Sequence, residues 1–207
     1  MKKYEFTDET RIILGYTLHR IIAVRDFGNV KAGDKGGWIE KESNLSQEDT
    51  CWVGDSAMVY GDAQVSGCAL VYGYAQVYGY AQVFGYAQVF GDAQVCDTAH
   101  VFGTAQVFGT AQVFGFAQVH GIAQVHGIAD VCGDAIVGSD EDYIIFKNWW
   151  SSGRHFTWTR SNNKWCVGCF YGTGDELIRK AYKDSKQSGR EYERIVRYVE
   201  EILKAEE

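Results

Sequence analysis

The 207-residue sequence contains no proline and, from Glu42 to Phe146, no lysine or arginine. Proline has no N–H to donate, so its absence suits a chain in which backbone ladders use nearly every amide. The missing cations leave twelve carboxylates unopposed over that span, which argues against nucleic acid or an anionic membrane as its partner and points to basic surfaces. The first 41 residues carry eight basic and six acidic groups and the last 61 carry twelve and nine, for a net charge of −7. No apolar stretch approaches the roughly 20 residues of a membrane span, and Met1-Lys2-Lys3-Tyr4-Glu5 lacks the apolar run of a secretory leader. Six cysteines, Cys51, Cys68, Cys96, Cys132, Cys166 and Cys169, form no disulfide framework. Reduced thiols and a cytoplasmic location are therefore expected.

What the sequence does contain is a beat of six. Valine recurs at every sixth position from Val53 to Val137, alanine follows each valine by four from Ala57 to Ala135, and glycine follows by two from Gly61 to Gly133, broken only by Asp97. Such a run is a structural repeat before it is anything else. Alternation of Ala, outward residue, Val, outward residue is a strand pattern with Ala and Val on one face. The following Gly and its neighbour turn a corner. Six residues are too few for a helical repeat, and Ala with Val is too small for a sandwich core. Both suit the narrow axis of a three-sided prism, with parallel coils of about eighteen residues stacked at roughly 4.8 Å.

Three segments are expected: an N-terminal hairpin cap over 1–35, the repeat region over 36–140, and a small α+β unit over 141–207. Thr10 to Ile13 and Thr17 to Val24 read as strands around Gly15, covering an end that would otherwise pair with another molecule. Ile39 and Leu45 start the coil early, and Ser46 to Trp52 breaks the register once. Beyond the repeats, Ile144 to Trp150, His155 to Arg160 and Lys164 to Tyr171 are strand-like. Thr173 and Glu176 make a capping box, and Gly189 separates two amphipathic helices.

The leader Asp26-Phe27-Gly28-Asn29-Val30-Lys31-Ala32-Gly33-Asp34-Lys35-Gly36-Gly37-Trp38-Ile39-Glu40, then Asn44-Leu45-Ser46, then the Val-x-Gly-x-Ala repeats, resembles the YdcK-like β-solenoid proteins over roughly residues 20–138. The resemblance implies a left-handed parallel β-helix and a phage or prophage setting, hence a host bacterial cytoplasm. It transfers no agreed activity and no catalytic residues.

This chain departs from the family in its outward positions, which are aromatic. After valine stand Tyr60, Tyr72, Tyr78, Phe84, Phe90, Phe102, Phe108 and Phe114; the corner adds Tyr74, Tyr80, Tyr86, Phe116, Ile122 and Ile128. Residues eighteen apart stack, giving three ladders: Tyr60, Tyr78, Cys96 and Phe114; Phe84, Phe102 and His120; Tyr72, Phe90, Phe108 and His126. Stacking stabilises neighbouring strands by about 0.5–1 kcal/mol per pair, yet three aromatic sides exceed what a solitary chain exposes. A covered face, by self-association or a partner, is expected. The outward glutamines before the valines are read as a structural amide ladder.

The chemistry-bearing residues support little catalysis. The hexapeptide acyltransferases place a histidine in a groove between subunits, and His100, His120 and His126 are the residues to offer. His120 and His126 fall on different sides, however, and no loop interrupts the repeats to wall a pocket. Thr98, Thr104 and Thr110 fall on three corners, which excludes a threonine plane for ice. Cys166 and Cys169 are a lone CxxC without the second pair that tetrahedral zinc requires. No cofactor and no metal are expected, and the sequence reads as a non-enzyme.

Two binding surfaces remain. The acidic residues Asp55, Asp62, Asp92, Asp97, Asp130 and Asp134, with the aromatic ladders, have the form of a decoy for a nucleic-acid-binding host defence protein, an anti-CRISPR-like inhibitor. The alternatives are a structural or virion-associated module and an acyltransferase. In the C-terminal part Arg154, Arg160, Arg179, Lys183, Arg190 and Arg194, with Trp158 and Trp165, are the one place where nucleic acid could bind directly; a solvated face over a tryptophan core is the favoured reading of them.

Overall fold

The computed structural model describes residues 2–206. It begins with an antiparallel hairpin of β1 (Tyr4–Ile13) and β2 (Tyr16–Ala23), and β3 (Lys35–Ile39) pairs antiparallel with β2. Fifteen two-residue strands follow, β4 (Trp52–Val53) to β18 (Ile136–Val137), one for each repeat. They fall into three parallel columns: Val71 pairs with Val53 and Val89, Val77 with Val59 and Val95, and Val83 with Val65 and Val101. The fold is therefore a mainly β solenoid of eighteen residues per coil. The first coil is longer, since Ile39 pairs with Val59 and Leu45 with Val65, twenty residues on. The two extra residues lie in the segment before Trp52, where the sequence shows its one break.

Alanine and valine fill the axis, buried from Val53 to Val137. At the corner the backbone enters the left-handed region, with φ of +72° at Gly73, where a Cβ would stand 3.0 Å from the Gly91 nitrogen. Asp97 takes the same turn with φ of +56°, and its carboxylate accepts the Gly115 N–H at 3.0 Å. Asp55 does likewise for Gly73 at 3.0 Å.

The outward residues of each coil donate their N–H groups to carbonyls of the next: the Tyr78 N–H donates to the Val95 carbonyl one coil on, and Gln82 to Ala99. At the two ends of the column the groups left without a further coil are met by side chains of the flanking segments; at the C-terminal end these include the Gln124 carbonyl, which accepts from Tyr143 Oη at 2.7 Å. At the N-terminal end Lys3, fully buried, donates from Nζ to the carbonyls of Glu48 at 2.9 Å and Cys51 at 2.8 Å, and Tyr4 Oη donates to Leu45 O at 2.7 Å. At the other end the amides of Gln124, Asp130, Asp134, Ile136 and Gly138 donate to side-chain oxygens of Asp140, Thr157, Tyr171, Ser161 and Asp142.

Those acceptors belong to the C-terminal part, an antiparallel sheet of β19 (Tyr143–Lys147), β20 (His155–Thr159), β21 (Lys164–Val167) and β22 (Phe170–Gly172), covered by α1 (Gly174–Asp184) and α2 (Lys186–Ala205). Three sequence expectations are corrected here. The single strand expected from Lys164 to Tyr171 folds back at Gly168, whose φ is +57°. The helix break lies at Ser185, extended and accepting the Ser188 N–H at 3.0 Å. Gly189 sits instead inside α2, where a side chain would meet the Tyr182 ring. Cys132 and Cys166, expected to be reduced, are joined by a disulfide with Cα atoms 6.3 Å apart, because β17 (Asp130–Val131) packs on β20 and its neighbour β21. The Thr173–Glu176 capping box forms as expected. Among the described residues no helix is long and apolar enough to cross a membrane.

Lys3→Met leaves two buried carbonyls without a donor, and we expect a loss of about 1–3 kcal/mol, read as a lower midpoint in denaturant. Lys2→Met, on an exposed side chain, should change stability by no more than about 0.5 kcal/mol.

Candidate functional site

The aromatic walls form as the eighteen-residue period requires, but they are less exposed than the sequence suggests. Tyr72 stacks on Phe90 with ring centres 4.9 Å apart, Phe90 on Phe108 at 4.9 Å and Phe84 on Phe102 at 5.0 Å. Each ring shields the next, so Tyr72, Tyr78, Phe84, Phe90, Phe102, Phe108 and Phe114 are half-buried. Tyr60 is corrected outright: the hairpin covers it, Tyr16 against its ring and Leu18 beside it, and it is 2% exposed. The expected glutamine ladder is replaced by phenol–amide bonds, in which Tyr60, Tyr72 and Tyr78 donate to Oε1 of Gln76, Gln88 and Gln94. Burial pushes the Tyr72 phenol pKa up, with the Asp55 charge adding to it.

The side chains that reach solvent are the corner ones. Tyr74, Tyr80, Tyr86, Phe116 and Ile122 are 64–77% exposed. Tyr74, Tyr80 and Tyr86 ring one coil, one on each corner. Tyr80, Thr98 and Phe116 share a corner, as do Tyr86, Thr104 and Ile122.

The carboxylates offered to a basic partner are mostly committed within the fold. Asp55 and Asp97 hold corner amides, Asp62 pairs with Lys41 at 2.7 Å, and Asp130 is half-buried, which pushes its carboxyl pKa up. Asp134 accepts from Tyr171, from Asn162 at 3.0 Å and from Lys164 at 3.3 Å. Asp92 alone of the six stands exposed without such a partner among the described residues. The acid face on which a decoy would depend is therefore reduced by ion pairing at Asp62 and Asp134, while Asp55, Asp92 and Asp97 keep exposed charges.

The C-terminal cations divide similarly. Arg160 is tied to Glu206 at 2.6 Å and Arg194 to Glu191 at 2.9 Å, while Arg154, Arg179, Lys183 and Arg190 make no ion pair among the described residues. Trp158 and Trp165 are both 1% exposed and form the core, so they cannot stack on bases, and the solvated-face reading holds for them. Hollows lie toward the ends of the column: one of about 380 Å³ beside Trp52 and Tyr72, one between the C-terminal sheet and α1, and one where β20 meets the last coils.

Comparison with known proteins adds one likeness. Over 63 residues the chain is 40% identical to a protein named uncharacterized acetyltransferase YdcK, from Escherichia coli strain K12. The match takes in 27% of this chain and 19% of that protein, so this chain spans well under two thirds of its relative. No family model matches. The likeness supports a hexapeptide-repeat solenoid, and it overturns the expectation that this chain is not an enzyme, since a stretch of it recurs in a protein named for acetyl transfer.

The histidines are placed as follows. His120 stacks on Phe102 at 5.2 Å and His126 on Phe108 at 5.3 Å, while His100 meets Phe84 edge-on at 6.5 Å. His100 and His120 share one wall and His126 lies on another. Among the described residues none of the three imidazoles hydrogen-bonds to another side chain.

The Asp134 junction carries no local signal in the chain, because its partners come from β21, β22 and the turn before β21. Hydrogen bonds from Tyr171, Asn162 and Lys164 hold the Asp134 carboxyl at about 2, below its ordinary 3.8. A carboxyl lowered on folding contributes stability that is present above its unfolded value and is lost as pH falls through the folded one. Between pH 4 and 2, faster amide exchange is expected at Asp134 and Ile136. In Asp134→Asn that pH-dependent part should disappear.

Proposed function

We propose that this chain works by binding through its exposed corners, and that the surface they meet is a second copy of the same solenoid. The observation that carries this reading is the exposure of Tyr74, Tyr80, Tyr86, Phe116 and Ile122 on a column whose interior is already full. Large apolar side chains gathered at this density mark interaction surfaces. A second copy is favoured because two columns share one spacing between coils, so projecting corners of one meet matching intervals on the other. The charge cost is eased at Asp62 and Asp134, which pair with Lys41 and Lys164. A basic host protein taken as a nucleic-acid mimic's target is supported less well, because of the six carboxylates only Asp92 is exposed with no partner within the fold among the described residues.

Sedimentation velocity tests it. The protein should sediment as an oligomer whose population rises with concentration. Tyr80→Ser/Phe116→Ser on one corner and Tyr86→Ser/Ile122→Ser on another should differ, at least one shifting to monomer. A monomer at all concentrations overturns the reading.

A second reading, acyl transfer, rests on the likeness to the protein named acetyltransferase. Self-association would supply the second wall that a histidine on an outer face lacks, and His120 and His126 are the residues to test. Under this reading the acetyl group of acetyl-coenzyme A passes to water, leaving as acetate, or to an added amine, and free thiol appears faster than in buffer; His120→Ala or His126→Ala returns the rate to background. No release above buffer in the assembled protein removes it.

A further inference from the structure

Two adjoining hollows at the C-terminal end take no part in either reading. The first, of about 270 Å³, lies between the sheet and α1, floored by Phe156, Leu177, Ala181 and Tyr192. These four side chains are buried. Arg154, His155, Lys180 and Asp184 stand at its rim. The second, of about 400 Å³, shares Arg154, His155 and Gly168 with the first and runs on to Gln112 and Asp130 of the solenoid wall.

Neither the Arg154 guanidinium nor the Lys180 ammonium makes an ion pair among the described residues, so both charges at the rim remain free. Lys180 is instead held over the Phe170 ring, 5.6 Å from its centre. Asp184 is the one carboxylate facing them from the first hollow. Asp130, across the second, is half-buried, which disfavours its charge. The mouth of the first hollow, with two cations to one carboxylate, is net cationic, and its floor is apolar, the arrangement in which a few polar groups orient a ligand whose body is buried.

We propose that the hollow is a binding site for a small organic anion, its carboxylate or phosphate head held by Arg154 and Lys180 and its flat apolar body lying over Phe156, Phe170 and Leu177. A guanidinium takes such a head through paired N–H donors, and an ammonium adds a point charge beside it. The volume falls just under the roughly 300 Å³ at which drug-sized pockets begin, which sets the body at one or two rings. His155 and Asp184 are placed to bond to a further polar group on that body.

Cys169, exposed and lining the first hollow, provides a local reporter. The full chain is alkylated with iodoacetamide in the presence of 2-naphthyl phosphate, 2-naphthoate or uncharged 2-naphthol, and each cysteine is followed by mass spectrometry. The anions should slow alkylation of Cys169 and leave Cys68, on the solenoid, unchanged; naphthol should not. Comparing the two anions shows which head the site prefers. In Arg154→Gln/Lys180→Gln, both exposed positions, the concentration needed for protection should rise roughly ten-fold or more. Equal protection by naphthol, protection that survives the double substitution, or no protection by either anion overturns the proposal.

Discussion

The structure depends on the parallel hydrogen-bond ladder between coils. In each coil the outward residues donate their N–H groups to carbonyls of the next coil, seventeen residues on. An axis of alanine and valine keeps the coils narrow enough for that register to hold, and glycine at the corners lets successive backbones approach within van der Waals distance. Because each coil satisfies its predecessor, the middle of the column places little constraint on its outer side chains. They are therefore free to vary, and in this chain they are aromatic.

How far those side chains reach solvent follows from the same spacing. Residues that follow valine lie on straight strands, so rings eighteen apart stack at 4.9–5.0 Å in the Tyr72–Phe90–Phe108 and Phe84–Phe102 runs. That is close to the separation of the strands themselves, and stacking consumes much of their surface. Corner residues have no such continuity. Above and below Tyr80 stand Asp62 and Thr98, neither of which can cover a phenol ring. Interaction chemistry is thereby displaced from the flat walls to the edges, which is why self-association is argued from Tyr80 and Phe116 and not from Phe90.

Legibility in the sequence divides along the same line. The Val, Ala and Gly positions are visible because the period is local, and even the long first coil leaves its trace between Ser46 and Trp52. The phenol–amide bonds from Tyr72 to Gln88 and from Tyr78 to Gln94 were not visible, since sixteen residues separate the partners and the amides alone suggest a ladder of their own. Tyr60 looked like its neighbours, because nothing near it in the chain announces that Leu18 will fold over it. The Cys132–Cys166 bond likewise joins elements whose proximity the packing of β20 on β17 creates, and the groove between Arg154 and Lys180 comes from α1 lying over the C-terminal sheet.

Each end of the ladder leaves backbone groups with no further coil to meet them, and the flanking segments supply side chains instead. At the N-terminal end the cover buries a lysine to do so. Lys3 would be costly in an apolar core, but three acceptors, the Glu48 and Cys51 carbonyls and Cys51 Sγ at 3.1 Å, surround its ammonium. At the C-terminal end open N–H groups are met by oxygens of Asp140, Asp142, Thr157, Ser161 and Tyr171, spread over a 3₁₀ turn, two strands and a hairpin loop, and the Gln124 carbonyl accepts from Tyr143 Oη. A flat hairpin cannot supply acceptors at that many heights, whereas a folded sheet with its loops can. The C-terminal part thus has a structural duty that its size alone does not explain. The strands that discharge it also form the wall of the cationic groove, which couples any ligand held there to the closure of the last coil.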